Sequence, residues 1–192
     1  MLAVRDDPGR VETELATGRL CCPSCGGSLG PWGWTRPRRL RAPAGWRWLR
    51  PRRTRCRTCR ATHVLTSTAT LSRRSATIEV IGAALAAKRA GLGYRRIAVR
   101  LGVPAATVRG WLRRFAVRAE QVRAMATSWA YRLDANVGRI TPRGSPFDDA
   151  LEALGVAVGA IVRALGPARS RWHVVAALTG AMLLAPSPLL LP

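Results

Sequence analysis

From Thr77 onward the apolar positions recur every three to four residues, and Ile78, Ile81 and Leu85 share one face of a helix that closes at Gly91. A second, short helix is predicted over Tyr94 to Leu101, with Ile97, Ala98 and Leu101 inward. Gly102-Val103-Pro104 then makes a turn, and a third helix runs from about Ala105 to Phe115 with Val108, Leu112 and Phe115 inward. A small Ala98 where two helices cross, Gly102 in a left-handed turn and Val108 as a core wedge six residues later are the steric requirements of a tri-helical helix-turn-helix. Pro104 stands where a Ser or Thr cap is usual; it suits a first helical turn but brings no side-chain cap. Periodicity resumes at Val122, Met125, Ala126, Trp129 and Leu133, then stops in a Gly/Pro-rich loop from Val137 to Pro146. Ser145 reads as the N-cap of a helix lined by Leu151, Leu154, Val158, Ile161 and Leu165 and ended by Gly166-Pro167. A last helix is expected from Ser170 to Leu184, before a Pro-Ser-Pro tail.

The pattern upstream of residue 75 is different. Trp32 to Arg41 and Trp46 to Arg55 flank the turn signal Ala42-Pro43-Ala44-Gly45, which predicts a hairpin. Alternation puts Trp32 and Trp34 on one strand face and Trp46 and Trp48 on another, without fixing whether the pairs meet. These tryptophans are expected to form the small core of a domain too short to have another, the alternative being an exposed, arginine-edged platform. The fold expected is mainly α with a small β ribbon, the tri-helical helix-turn-helix being followed by a helical tail. The divisions are an N-terminal segment over 1–19, the ribbon over 20–66, the helix-turn-helix over 75–118, a helical packing or association module over 119–185, and a tail over 186–192.

Charge sharpens this picture. The chain has 192 residues and a net charge of +22, with 32 Lys+Arg against 10 Asp+Glu, and Lys88 is the single lysine. Such a balance implies a polyanionic partner. Residues 36–60 carry eleven arginines and no acid, and residues 88–123 carry ten bases against Glu120, so most of the charge sits in two blocks. Uniform codon bias toward arginine would not concentrate it so. A hydrophobic fraction of 48% supplies packed cores, which excludes a disordered basic tail. The amino terminus, with Asp6 and Asp7, lacks an apolar stretch of signal-peptide length, and the longest apolar run, Val174 to Ala185, is too short to span a bilayer. The expectation is a cytoplasmic, nucleoid-associated protein without membrane contact.

Four of the five cysteines fall in two pairs, Cys22-Pro23-Ser24-Cys25 and Cys56-Arg57-Thr58-Cys59. A two-residue gap lets both thiolates of a pair face one metal from a tight turn, and two such turns fill the tetrahedral shell of a structural zinc site. Gly26 and Gly27 suit the turn after the first pair. One structural zinc on Cys22, Cys25, Cys56 and Cys59 is therefore expected, with Cys21 and His63 left outside a shell already complete. The alternative, a redox dithiol pair, lacks a thioredoxin-like βαβ pattern around either motif.

Subtracting the inward positions of the third helix leaves Ala105, Ala106, Arg109, Gly110 and Arg113 facing out, and Thr107 is expected among the DNA-binding residues beside them. The first turns of such a helix meet base edges in the major groove of double-stranded DNA; Arg109 and Arg113 suit guanine or phosphate, and Ala105 or Ala106 a thymine methyl. Arg95, Arg96, Arg100, Arg114 and Arg118 are expected on phosphates, as are Arg38, Arg39, Arg52 and Arg53 of the ribbon.

With both motifs placed, the chain resembles the amino-terminal zinc-ribbon and helix-turn-helix regions of insertion-sequence transposases, and more closely an actinobacterial family of small helix-turn-helix proteins. The likeness is carried by Cys22-Pro23-Ser24-Cys25-Gly26, the arginine-rich spacer, Cys56-Arg57-Thr58-Cys59 with Thr62-His63, and Tyr94 to Phe115. It implies DNA-end or operator binding with zinc in the ribbon, and a role as accessory factor of a mobile element or as transcription regulator, with a homodimer or a transposase as possible partner. No enzyme is expected: the acids after the helix-turn-helix lie on helices or loops with no strand pattern to hold two metals close together. The competing class is a zinc-ribbon interaction protein that binds RNA or another protein without reading bases.

Overall fold

The computed structural model describes residues 2–167, 170–186 and 189. Within them the fold is a mixture of helix and sheet, with a larger β portion than expected. The amino-terminal half holds β1 (Leu2–Val4), α1 (Pro8–Ala16), β2 (Leu29–Trp34), β3 (Arg38–Ala42), β4 (Gly45–Leu49), β5 (Arg52–Cys56) and β6 (Thr62–Ser67). The rest is helical: α2 (Ile78–Arg89), α3 (Tyr94–Leu101), α4 (Ala105–Leu133), α5 (Pro146–Leu165) and α6 (Arg171–Leu178).

The first nineteen residues form part of the ribbon rather than a separate segment. β1 runs parallel to β6 at one edge of a four-stranded sheet of order β1-β6-β5-β2. Asp7 caps α1 by accepting from the Arg10 N–H at 3.0 Å, and Pro8 begins the helix where no N–H is needed. One turn apart, Val11 and Leu15 turn inward and join Val4, Leu29, Leu65, Cys22 and Cys56 in a compact apolar cluster. That cluster is the ribbon's core, and none of the four expected tryptophans belongs to it.

The hairpin exists, in two pieces. β2 pairs antiparallel with β5, and its register shifts between Pro31 and Trp34. β3 pairs with β4 across the two-residue turn Pro43-Ala44. Pro37 and Pro51 lie between the pieces, where neither can donate to a ladder. The far piece docks on the helical half: Arg41 N–H donates to Ser75 O and Thr77 N–H to Arg41 O, both at 2.8 Å, while Leu40 is buried between them. The Arg41 side chain donates from Nε to Leu101 O at 3.2 Å, placing a cation at the carboxyl end of α3.

α2, α3 and the first turns of α4 pack around Ile81, Leu85, Ile97, Ala98, Val108 and Trp111. Gly102 takes the left-handed conformation (φ 61°, ψ 42°) in the turn before α4, as its place in the sequence requires. The third helix does not stop near Phe115: α4 is continuous through Leu133, so the expected division at 118/119 falls inside it. Nothing between Pro104 and Asp134 breaks a helix. α5 packs along α4, burying Leu151, Leu154, Ala157 and Val158 in the same core, with Phe147 edge-on to Phe115 at a ring separation of 4.8 Å. Leu165, expected inward, is exposed at the end of α5. α6 is shorter than expected, because the chain turns at Thr179, Gly180 (φ 55°) and Ala181 (φ 62°). Most of the expected tail, at 187–188 and 190–192, lies outside the described residues.

Candidate metal centre and nucleic-acid interface

The first cysteine pair sits in a turn between the bridged residues Cys21 and Ser28 just ahead of β2, and the second in the turn from β5 to β6. In the first, Gly26 N–H donates to Cys22 O at 2.9 Å and Cys22 N–H to Gly27 O at 2.7 Å. The residue after the second cysteine of each pair is left-handed: Gly26 (φ 72°) in one turn, Arg60 (φ 63°) in the other. Gly27 lies so close to the second turn that a Cβ would collide with the Thr58 side chain and press tightly on the Cys56 sulfur, so glycine lets the two turns approach.

The four sulfurs lie within 4.8 Å of one another, with Cys22 Sγ 3.7 Å from Cys59 Sγ and Cys25 Sγ 3.5 Å from Cys56 Sγ. A tetrahedral metal with bonds of about 2.3 Å to sulfur needs sulfurs about 3.8 Å apart, so these residues fit one ion. The electrostatics point the same way. Burial raises the Cys56 thiol, but the N–H groups of Cys59 and Thr58 and the neighbouring thiols outweigh it and bring it down to about 6. At Cys59 the Ala61 N–H lowers the thiol, yet the surrounding Cys25, Cys56 and Cys22 groups and burial push it up to about 12. Four thiolates this close need a cation to ionise together. The four cysteines are positioned to hold a metal ion, with a donor set consistent with zinc.

Cys21 is exposed and outside this cluster. His63 is buried, with Nε2 3.3 Å from Cys22 Sγ, against a shell already filled by sulfur. Its contact with Cys22 follows from its place on β6, which runs beside the cysteine-bearing β5.

The second candidate site is the outer face of α3 and α4. Arg95, Arg96 and Arg100 of α3 and Ala106, Arg109, Arg113 and Arg114 of α4 are exposed, while Ala105 and Thr107 are half-buried at the start of α4. These side chains lie on two consecutive helices around the Gly102 turn. Arg118, expected with them on phosphates, is instead buried, with Nη1 donating to Ala185 O. It lies three residues after Phe115 and four before Val122, both inward, so helical phase carries it inward as well.

The ribbon arginines divide. Arg39 and Arg53 are exposed. Arg38 is half-buried, with burial pulling its guanidinium below the ordinary value. Arg52 is held at home, paired with Glu12 at 2.8 Å and donating to Gly33 O at 2.7 Å. The tryptophans stand at the surface, 49% exposed for Trp32, 45% for Trp34, 58% for Trp46 and 66% for Trp48. A guanidinium lies over each: Arg55 on Trp32, Arg52 on Trp34 and Arg39 on Trp46 at 4.6 Å, and Arg39 on Trp48 at 6.0 Å. The platform arrangement holds, and the expected core role does not.

Residues 75–122, about a quarter of the chain, match the family model of a helix-turn-helix group described as the homeodomain-like domain. The match covers α2, α3 and the first half of α4, fits a transposase-like helix-turn-helix region, and suggests DNA binding. No curated protein and no solved structure matches the chain. No helix among the described residues is long and apolar enough to cross a membrane.

Proposed function

We propose that this chain is a non-enzymatic, cytoplasmic DNA-binding protein with one structural zinc, serving as an accessory factor of a mobile element or as a transcription regulator. The observation that carries the reading is the exposed arginine face of α3 and α4 within the stretch that matches the homeodomain-like domain. The first turns of α4 present Ala106, Arg109 and Arg113 to base edges, and Arg95, Arg96, Arg100 and Arg114 hold phosphates on either side. Arg39 and Arg53 extend the phosphate contact onto the ribbon. Zinc on Cys22, Cys25, Cys56 and Cys59 fixes the strands that carry those arginines, with no ligand position left open for catalysis.

The acids support a binding role. Asp6 is paired with Arg47, Glu12 with Arg52, Glu14 with Arg10, Glu79 with His173, Glu120 with Arg123, Asp134 with Arg163, and Glu152 with Arg89 and Arg143. Asp7, Asp148 and Asp149 serve at helix starts. Every carboxylate side chain has a structural partner, and among the described residues the cysteine cluster is the group fit for a metal. Enrichment from a random duplex library tests the reading. It predicts a recoverable sequence motif, and a library that stays random after repeated selection contradicts it and favours the interaction-protein alternative.

A further inference from the structure

The four exposed tryptophans have no part in base reading by α4. The chain has a ribbon core without them, so their exposure is not forced by a shortage of interior. On the far piece of the hairpin, one face carries buried Leu40 with half-buried Arg38, Arg47 and Leu49, and Arg47 is paired with Asp6, while the other face sets Arg39 opposite Trp48 and Arg41 opposite Trp46, a mixture of indole and guanidinium. The near piece repeats the mixture with Trp32 under Arg55 and Trp34 under Arg52 and Arg50. No acid occurs between residues 36 and 60.

We propose that this hairpin surface binds single-stranded DNA, with unpaired bases stacked on Trp32, Trp34, Trp46 and Trp48 and phosphates held by the arginines beside them. A duplex covers its base faces with neighbouring bases and shows a protein only groove edges and phosphates; indole faces find a stacking partner where the strand is open. Arg39, exposed over Trp46 and Trp48, is held by the cation–π contact with its N–H edge available for phosphate, whereas Arg52 over Trp34 is engaged by Glu12 and the Gly33 carbonyl and serves to fix that indole. Arg41 ties the hairpin to the carboxyl end of α3 at Leu101, so the surface adjoins the helix-turn-helix. The strand bound is therefore DNA, a choice that rests on the proposed DNA-binding function. The protein would thus engage DNA that is paired under α4 and open beside it.

The test is fluorescence-anisotropy titration of the full-length, zinc-loaded protein with labelled oligothymidylate, a blunt duplex of equal length and an oligouridylate. Trp46→Ala with Trp48→Ala is expected to weaken oligothymidylate binding by roughly 25-fold or more, from about 5-fold upward for each of two stacked bases lost. Duplex affinity should stay within about 2-fold, since flat stacking plays no part in groove contacts. The Phe double variant should keep most of the single-strand affinity, and zinc content and circular dichroism check that each variant is folded. Arg109→Ala should do the reverse, sparing oligothymidylate while lowering affinity for a duplex that carries the selected motif. Failure of the wild type to bind oligothymidylate, or an equal loss on both DNAs in the tryptophan variant, overturns the proposal. Indole-dependent binding that is tighter to oligouridylate overturns the assignment to DNA. Absence of duplex binding alone would sink base reading by α4 while leaving the single-strand surface standing.

Discussion

Replacing Cys56 with serine should empty the metal site and unfold the ribbon while the helices persist. Cys56 is fully buried, and its sulfur is 3.5 Å from that of Cys25 inside the four-sulfur cluster. A structural zinc contributes an apparent ~10–16 kcal/mol to folding at neutral pH. The ribbon's other support is the burial of Val4, Val11, Leu15, Leu29 and Leu65, which at ~1.5–3 kcal/mol each comes to roughly 8–15 kcal/mol before any cost of ordering the chain. Losing the metal removes a contribution as large as the whole apolar core, so the strands cannot stay folded. The helices have their own core, with Ile78, Ile81, Leu85, Ile97, Val108, Phe115 and Met125 fully buried, and need no metal. Metal analysis should find one zinc per wild-type chain and none in the variant. Near-ultraviolet circular dichroism should lose the share of Trp32, Trp34, Trp46 and Trp48, while that of Trp111, Trp129 and Trp172 in the helical core and most helical signal remain. A variant that loses zinc yet keeps the full tryptophan signal and its thermal transition would refute the reasoning, as would wild-type protein purified without chelator and free of zinc.

Other outcomes follow from particular residues. Arg60 takes a left-handed conformation (φ 63°) in the second cysteine turn, so Arg60→Gly should stabilise the ribbon by about 1 kcal/mol in thermal melts, and a loss of stability would contradict the strain argument. Burial raises the Glu79 carboxyl, but the His173 hydrogen bond, its own N–H and Thr77 outweigh this and hold it below its usual 4.5. Its contribution is present above that value and lost as pH falls through the lower folded one, so Glu79→Gln should cost about 1 kcal/mol at pH 7. Urea melts followed by helical signal should show the two proteins converging below pH 4.5, and a gap that persists in acid would contradict the assignment. Phe147→Ala removes the edge contact with Phe115 and should cost about 3 kcal/mol, consistent with α5 completing the core of α4; an unchanged urea midpoint would contradict that packing.

The legible parts of this fold are those where one residue type can satisfy the backbone. α3 has the bounds expected because Gly93 and Gly102 flank it, and α5 begins at Ser145, whose hydroxyl accepts from the Asp148 N–H at 3.1 Å. The cysteine cluster was legible because two-residue gaps leave little freedom in where the sulfurs point. α4 runs past Phe115 to Leu133 because the helix-turn-helix pattern carries no stop signal of its own and no proline interrupts 105–133. The tryptophans lie at the surface because Val4, Val11 and Leu15 of the first nineteen residues supply the ribbon core, and nothing local in the sequence ties that stretch to the strands. How Arg41 joins the ribbon to α3 was not legible, since a contact across sixty residues of sequence leaves no local pattern.

The most direct test of base reading by α4 is a titration of wild type and Arg109→Ala on the duplex motif recovered by selection and on a scrambled duplex, at one fixed salt concentration. Arg109 is exposed near the start of α4, where a base contact is worth about 1–3 kcal/mol, so the substitution should weaken the selected site by roughly 5- to 150-fold and the scrambled duplex far less. Loss by the same factor on both duplexes would show that Arg109 meets only phosphate, and would contradict the claim that this helix reads sequence.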